Sequence, residues 1–195
     1  MSESIKLGRS FIVKEYQRQP LPLFLLWKGL LFLLLKNTDY RYLIGPVSIS
    51  NDFSKFSKSL IVEFVKKYHY RDDLAKFIKP RKKFVVKPDK IVDRELFMEW
   101  EGGDVSKIDT LIHDIESTYK FPILLKKYLQ LNSKIIGFNI DPKFNNALDG
   151  LLILDIFDVP ENFIKALSKE LNDESILERF NFPSSILDVQ NKNKQ

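Results

Sequence analysis

The sequence predicts one α/β domain in which helices flank a mixed sheet. Its 195 residues can bury one good core, and 44% hydrophobic with 29% charged residues is typical of a globular protein. In the first half of the chain, short apolar runs that suit strands alternate with longer runs that suit helices. This βαβα order is typical of neighbouring parallel strands.

The first half contains two strand–helix pairs. A strand at residues 5–13 precedes a helix at 20–36, and a strand at 40–49 precedes an amphipathic helix at 53–68. Asp52 stands where it can cap the second helix. Because crossovers between parallel strands are right-handed, the loops after both strands should open at one edge of the sheet, where α/β proteins usually bind ligands.

The second half begins with two more helices. Asp104 can cap a helix that runs to residue 116, and Pro122 can open another that runs to residue 131. Pro160 then begins a last helix, which fades into a polar tail. We expect residues 1–170 to form the domain and residues 171–195 to form a terminal helix and tail.

Two strands are expected in this half, at residues 134–140 and 150–157. The loop between them, at 141–149, is short, which favours an antiparallel pair. Its Asn and Asp residues are typical of turns, since both tolerate turn conformations and bond to their own backbone.

The residue types limit the possible chemistry. The chain has no cysteine, which excludes disulfides, thiolate nucleophiles and cysteine-type zinc sites. The GxSxG, P-loop and HExxH motifs are all missing. His113 is expected on a helix surface and His69 at a helix end, neither of them as a base. We expect no metal.

Residues 66–103 form a basic linker within the domain. Between residues 66 and 94, eleven Lys or Arg stand against four Asp. A solvated connection is one interpretation, because charged runs outside regular elements often only keep a surface wet. The other is electrostatic attraction of an anionic partner, an acidic carrier protein or anionic lipid headgroups. Nucleic acid is not expected, because no recognition motif accompanies the charge.

The most apolar stretch, residues 21–35, is too short to span a membrane and predicts a buried helix. Trp27 beside Lys28 leaves contact with a bilayer surface as the alternative. The chain opens without the features of a secretory signal. We therefore expect a cytoplasmic protein, with peripheral contact at the inner membrane as the alternative.

Four clusters carry a resemblance to a known family. They are LGRSFIVKEYQ at 7–17, YRYLIGPVSISNDF at 40–53, IKPRKKF at 78–84 and PILLKKYLQLNSKIIGFNIDPKFNNALDGLLILDI at 122–156. In this order they resemble the C-terminal part of bacterial long-chain N-acyltransferases of the GNAT superfamily. These are the ornithine-lipid and glycine-lipid type, known in many bacteria as hemolysins and sometimes fused to a lysophospholipid acyltransferase domain.

The resemblance implies a partial GNAT-like fold similar to that of acyl-homoserine-lactone synthases. It also implies transfer of a long-chain acyl group from acyl carrier protein to the amine of an amino acid, giving a lipid precursor. The donor would be the carrier's phosphopantetheine thioester, with no other cofactor. Family members carry further residues that supply the first strands, so we expect an unpaired sheet edge that a homodimer or a partner polypeptide could cover.

The resemblance also assigns catalytic candidates. Arg9 would lie on the central strand as a structural or oxyanion-side cation, Asn51 would face the thioester, and Asp149 is the carboxylate that would bind the acceptor's ammonium. Lys6 stands where the family carries a glutamate, a candidate general base. This departure leaves a non-catalytic subunit, binding acyl carrier protein or an anionic membrane surface, as the alternative.

Substrate-binding and carrier-binding candidates complete the set. The substrate-binding candidates are Ser48, Ser50, Asn139, Asp141 and Asn145, with helix capping by Ser50 to Asp52 and turn chemistry at 139–149 as the alternative interpretations. The carrier-binding candidates are Arg18, Lys79, Arg81, Lys82 and Lys83. The segment from Tyr16 to Pro22 has two prolines and no glycine, which weakens a phosphate nest and favours acyl carrier protein over coenzyme A.

Overall fold

The computed structural model describes residues 3–8, 12–16, 19–86 and 103–180. Within them the protein is α/β, with helices flanking a four-stranded mixed sheet of order β1-β2-β4-β3. The strands are β1 (Ser4–Lys6), β2 (Tyr42–Ile49), β3 (Lys134–Asp141) and β4 (Ala147–Asp155). This confirms the predicted fold class and is consistent with a partial GNAT-like fold.

Seven α-helices are present in the described residues. They are α1 (Pro20–Lys36), α2 (Lys55–Tyr68), α3 (Asp72–Ala75), α4 (Val105–Ile115), α5 (Ile123–Gln130), α6 (Glu161–Leu171) and α7 (Ser175–Glu178). Helix α1 has the predicted bounds, because Pro20 fits the first helical turn and the chain becomes extended at Asn37. The predicted parallel pairing of β1 with β2 and antiparallel pairing of β3 with β4 are both confirmed.

Strand β1 is shorter than the strand predicted at residues 5–13. It ends at Lys6, although the Leu7 N–H still donates to the Ile44 oxygen at 2.7 Å. Just beyond the predicted strand, residues Lys14–Tyr16 form a short 3-10 helix. Gly8 explains part of the difference, since it has no side chain to pack and strands are weakened at such positions.

Gly45 allows β1 to approach β2 closely. A Cβ at position 45 would lie 2.7 Å from the Leu7 Cβ and 2.9 Å from the Leu7 oxygen. Any larger residue would therefore push the end of β1 away from its partner strand.

Helix α2 begins two residues later than predicted, and its N-cap is Ser54, not Asp52. The Ser54 hydroxyl accepts from the Ser57 N–H at 3.0 Å. Asp52 instead accepts from the Ser50 hydroxyl at 2.7 Å within the preceding turn. The predicted cap of α4 is confirmed, since the Asp104 carboxylate accepts from the Ser106 N–H at 2.8 Å.

The core lies between the helices and one face of the sheet. On β2 the buried positions alternate, and their partners on β4 are buried too, as in the pair Ile49↔Leu148. Helices contribute residues such as Leu34, Ile61 and Phe64 to the same cluster. We call this side the packed face. The outer face carries the intervening residues of β2 and β4, which are half-buried or exposed.

The described part of the basic segment is attached to the sheet. The Arg71 N–H donates to the Ile135 oxygen at 3.1 Å, and the Ile140 N–H donates to the Lys82 oxygen at 2.8 Å. Residues 66–86 therefore cover the free edge of β3 at two points. The interpretation of this part of the segment as a simple solvated connection is wrong.

Helix α1 has both a buried and an exposed apolar side. Leu31, Leu34 and Leu35 are buried as predicted, whereas Leu21 and Leu25 are 60% and 52% exposed. Within the described parts of the chain, no helix combines the length and the apolar character needed to cross a bilayer.

Arg179, directly after α7, ties the end of α1 to the sheet. Its guanidinium donates to several backbone oxygens, of which the Leu34 oxygen lies at 2.7 Å. The others are those of Leu35, Asn37, Thr38 and Tyr40. The Leu34 and Leu35 carbonyls lie in the last turn of α1, where the helix itself supplies no donor, and the other three follow that turn.

Candidate functional site

Three predicted site residues form one row across the outer face. Ser48 on β2 pairs with Asp149 on β4, and Asp149 pairs with Asn139 on β3. The Ser48 hydroxyl donates to the Asp149 Oδ1 at 2.6 Å. Directly opposed residues on neighbouring strands point to the same face, so the strand register alone brings these residues together.

The surroundings of Asp149 favour its protonated form. Burial raises the pKa of the Asp149 carboxyl above its usual value, and the Asp141 carboxylate, whose residue lies two positions from Asn139 on β3, raises it further. The hydrogen bond from Ser48 opposes both effects. A carboxylate with a raised pKa is a better proton acceptor near neutral pH than an ordinary aspartate.

The loop predicted at 141–149 is shorter in the structure. Asn139, Asp141 and Asp149 all belong to strands, and the turn comprises only residues 142–146. The prediction began the last strand at Gly150 and assigned Asp149 to the turn, but a polar residue fits a strand wherever it faces outward. Turn chemistry does account for Asn145, whose φ is +48°, in the left-handed region that asparagine tolerates.

Lys6 lies on the outer face as well. It pairs with Ile44, and Ile44 and Ser48 point to the same side of β2 because they are four residues apart. Lys6 is exposed there and lies two strands away from Asp149 in the sheet order. The outer face therefore carries a carboxylate near the end of β2 and an ammonium towards its beginning.

A second group of polar side chains lies at the same end of the sheet but on the packed face. It lines a cleft of about 420 Å³ between the start of α2, residues 82–85 and the strand ends. Its floor is apolar and includes Ile140 and Leu148. We call it the lysine cleft, after the polar residues that line it: Asn51, Lys55, Lys58, Lys82, Lys83 and Asn146.

Lys58 is the most deeply placed of these residues. It is 8% exposed, and its ammonium donates to the Asn51 Oδ1 at 2.8 Å. Burial lowers the pKa of the Lys58 ammonium, the carboxylates of Glu116 and Asp52 oppose this shift, and Lys55 adds to it. Among the described residues, none of the four lysines of the cleft forms an ion pair.

The predicted site residues therefore divide between two places. Ser48, Asn139 and Asp149 meet on the outer face, whereas three others line the lysine cleft, namely Asn51, Lys82 and Lys83. Asp141 ends β3, and its carboxylate accepts from the Lys143 N–H at 2.8 Å in the turn. Ser50 is occupied in the turn with Asp52. Asn145, Lys79 and Arg81 are exposed and line neither place, and Arg9 and Arg18 lie outside the described residues.

Neither histidine joins a site residue. His113 is exposed on α4, as predicted. His69 is the C-cap of α2, where its N–H donates to the Val65 oxygen at 2.8 Å. Burial and the nearby Lys134 lower the pKa of the His69 imidazole, so the ring is neutral at physiological pH.

Sequence reasoning missed Lys55 and Lys58. The signal for Lys58 is its position between Ser57 and Ser59, directly before the apolar run of α2. All three of these polar residues are buried. A lysine flanked by small residues on the buried side of an amphipathic helix is rare without a functional or structural partner.

Comparison with known proteins supports an acyltransferase relationship. The chain is 24% identical over 173 residues to a glycine N(alpha)-acyltransferase of Bacteroides thetaiotaomicron, an alignment that covers 83% of this chain and 50% of the relative. It is 25% identical over 168 residues to a protein of the same name from Phocaeicola vulgatus, covering 82% of this chain and 50% of the relative.

The chain thus spans about half the length of the curated relatives it matches. No protein-family model matches the chain, and no solved structure gives a significant match. Because each alignment covers more than four fifths of the chain, it spans the residues of the outer-face row and those of the lysine cleft. What the comparisons support is acyl transfer to an amine.

Proposed function

We propose that this chain takes part in transferring a long-chain acyl group from a thioester to the amine of glycine. The observation that carries the proposal is the similarity, over more than four fifths of the chain, to two proteins named glycine N(alpha)-acyltransferase. The α/β fold with its mixed sheet agrees with it. The donor that fits the sequence is acyl carrier protein.

The reaction needs a group that accepts a proton. The amine nitrogen attacks the thioester carbonyl, a C–N bond forms, the C–S bond breaks, and the sulfur leaves as a thiol. One proton must leave the attacking amine and one must reach the sulfur. Asp149 is suited to this transfer, because its pKa is raised and Ser48 fixes its orientation at 2.6 Å.

Asp149 lies at a different place on the outer face from the position at which the resemblance identifies a change. The family glutamate is replaced by Lys6, which cannot accept a proton from an ammonium substrate. Asp149 is two strands away in the sheet order and pairs with Ser48, four residues further along β2 than the partner of Lys6, so it would act at the other end of this face. Asp149 can also hold the acceptor's ammonium before it loses its proton, whereas the Asn139 Oδ1 already accepts from the Lys82 N–H at 3.0 Å.

The carrier would dock through positive charge at the same end of the sheet. Lys79, Arg81, Lys82 and Lys83 are exposed on residues 79–83, and Lys82 is held to β3 by its backbone. An acidic carrier would be attracted there at low ionic strength and less at high salt.

A single-turnover assay tests the proposal. Palmitoyl acyl carrier protein is mixed with the purified chain and with glycine, ornithine, serine or glycolate, and the acylated product is followed by mass spectrometry. We expect N-palmitoylglycine and no product from glycolate, in which a hydroxyl replaces the amine. Absence of N-acyl product with every amino acid would refute transfer by this chain.

A second candidate function is a non-catalytic module that binds a membrane surface. The observation that favours it is the exposed side of α1, where Leu21, Leu25 and Leu33 recur at four- and eight-residue intervals and are about half exposed. Apolar residues at this spacing lie along one helix face and can enter the interfacial region of a bilayer.

A further inference from the structure

The lysine cleft has a charge that the described protein leaves uncompensated. Four lysines line it, and no Asp or Glu of the described residues does. Two of these lysines come from α2 and two from residues 82–83, so the cluster is not a feature of one helix end. Like charges gathered in one concave site repel each other and favour the binding of an anion.

Lys58 shows that the site is built into the fold. As a residue Lys58 is 8% exposed, and the contact of its ammonium in the described structure is the neutral Asn51 Oδ1 at 2.8 Å. A buried charge is costly unless an opposite charge or several hydrogen bonds compensate it. The ammonium has three N–H donors, so two remain to bind a ligand in the cleft.

The nearest carboxylates do not remove this need. Glu116 accepts from the Ser54 N–H at 3.1 Å, before the first turn of α2. Asp52 accepts from the Ser50 hydroxyl at 2.7 Å. Both carboxylates act on Lys58 only at a distance, since neither forms an ion pair with it.

The two amides of the cleft are oriented as an anion would require. The Asn51 Oδ1 accepts from Lys58, and the Asn146 Oδ1 accepts from the Lys82 ammonium at 3.4 Å. When the oxygens face lysines, the two NH₂ groups are left as donors. The polar lining is thus composed of donors, four of which are lysine side chains.

We propose that the lysine cleft binds a phosphate group. Four ammonium groups exceed what one carboxylate can neutralise, whereas a phosphate carries up to two negative charges and more acceptor oxygens. Lysine is a compact point charge that suits phosphate without the bidentate geometry that arginine offers to carboxylates. The site lies on the face opposite Asp149 and shares Lys82 and Lys83 with the proposed docking surface of the carrier, but phosphate binding can be measured without acyl transfer.

The test is an NMR titration of the full chain with inorganic phosphate, with sodium chloride adjusted so that ionic strength stays constant. We expect saturable shifts of the backbone amide signals of Asn51, Lys58 and Ile140. Lys58→Met keeps the length of the side chain and removes the charge, so the affinity for phosphate should fall about 10- to 100-fold.

Two further variants keep the result interpretable. Lys82→Gln alters an exposed side chain of the cleft and should weaken binding severalfold even if Lys58→Met fails to fold. Lys66→Met, in the last turn of α2 and outside the cleft, should leave the affinity unchanged. Shifts that do not saturate, or that are equal in the wild type, Lys58→Met and Lys82→Gln, would overturn the proposal.

Competition identifies the source of the phosphate. If 4′-phosphopantetheine displaces inorganic phosphate at lower concentration than glycerol 3-phosphate does, the cleft takes the arm of the carrier. The reverse order would assign it to a lipid headgroup. Both results support a phosphate site, and neither requires N-acylglycine to be formed, so this proposal and the proposed function fail independently.

Discussion

Asp149 accepts the proton in the proposed reaction, and its two neighbours act on its pKa in opposite directions. Ser48→Ala removes the hydrogen bond that lowers the pKa of Asp149, so the acidic limb of the pH–rate profile should move to higher pH. Asp141→Asn removes a charge that raises the pKa, so the limb should move to lower pH. We expect shifts of about one pH unit or less for these partly exposed groups.

The measurement is kcat/KM for N-acylglycine formation between pH 4 and pH 8, roughly the range in which a carboxyl of raised pKa titrates. Activity should fall as pH decreases, because protonated Asp149 cannot accept a proton. If both variants keep the wild-type limb, Asp149 is not the group whose ionisation the rate reports.

At the residue scale, the sequence singles out Ser48 within the motifs of the resemblance and Asp149 within the polar segment at 139–149, and their roles stay predictions. Their contact depends on the antiparallel pairing of β2 with β4, which the sequence does not predict. Lys58 could not be found in this way. Its cleft joins residues 51–58, 82–85 and 140–148, and no local pattern shows that these segments meet.

At the scale of elements, Arg179 holds α1 in place. Arg179→Met should lower the free energy of unfolding by about 2 kcal/mol, because carbonyls at the end of α1 lose their donor. Urea unfolding measures the difference. Lys165→Met is the matched control, since its i,i+4 pair with Glu161 is exposed and should contribute less than about 0.5 kcal/mol. Equal stability of the two variants would contradict the assigned role.

Asp109 joins α4 to the start of α5. Its carboxylate accepts from the Phe121 N–H at 2.7 Å and from the Lys126 ammonium at 2.9 Å. Burial alone would raise the pKa of Asp109, but these hydrogen bonds outweigh it and hold the pKa below 3.8. The lowered pKa in the folded state stabilises the protein above the unfolded pKa, and this contribution is lost as pH falls through the folded value.

Asp109→Asn should therefore cost about 1 to 2 kcal/mol at neutral pH and progressively less below about pH 4. Urea unfolding of both proteins at several pH values measures this. A difference in stability that stays constant as the pH is lowered from neutral through the acid range would show that the charge is not what stabilises the contact.

The exposed leucines of α1 test the membrane alternative. If α1 lies on a bilayer, the chain should sediment with vesicles of anionic lipid at low salt, and Leu21→Glu with Leu25→Glu should reduce the bound fraction severalfold. Phe77→Glu is the control, since Phe77 is 76% exposed in the turn after α3 and lies outside α1. Failure of the wild type to sediment would exclude this candidate.

Helix starts were predicted correctly where a proline or a capping residue marks them in the sequence. Pro20 marks the start of α1, and Asp104 caps α4 as expected. Boundaries were missed where two capping residues compete, as with Ser54 and Asp52, because local sequence does not decide which side chain reaches the helix N–H groups. Pairing of residues 70–82 with β3 is a tertiary contact that their charged composition conceals.

In the molecule as a whole, polar side chains form a group on each face of the sheet at one of its ends. The outer face holds the Ser48–Asp149 pair, and the packed face holds the lysine cleft. The fold class followed from the alternation of strands and helices. The alternation does not predict that two polar sites lie on opposite faces of the sheet, because this depends on which face each strand residue occupies.

The most direct test of the central claim compares the rate of N-palmitoylglycine formation by the wild type and by Asp149→Asn, with palmitoyl acyl carrier protein and saturating glycine. The account predicts product from the wild type and a loss of about 100-fold or more in Asp149→Asn, since a general base contributes that much. No product from the wild type, or equal rates in the two proteins, would contradict it.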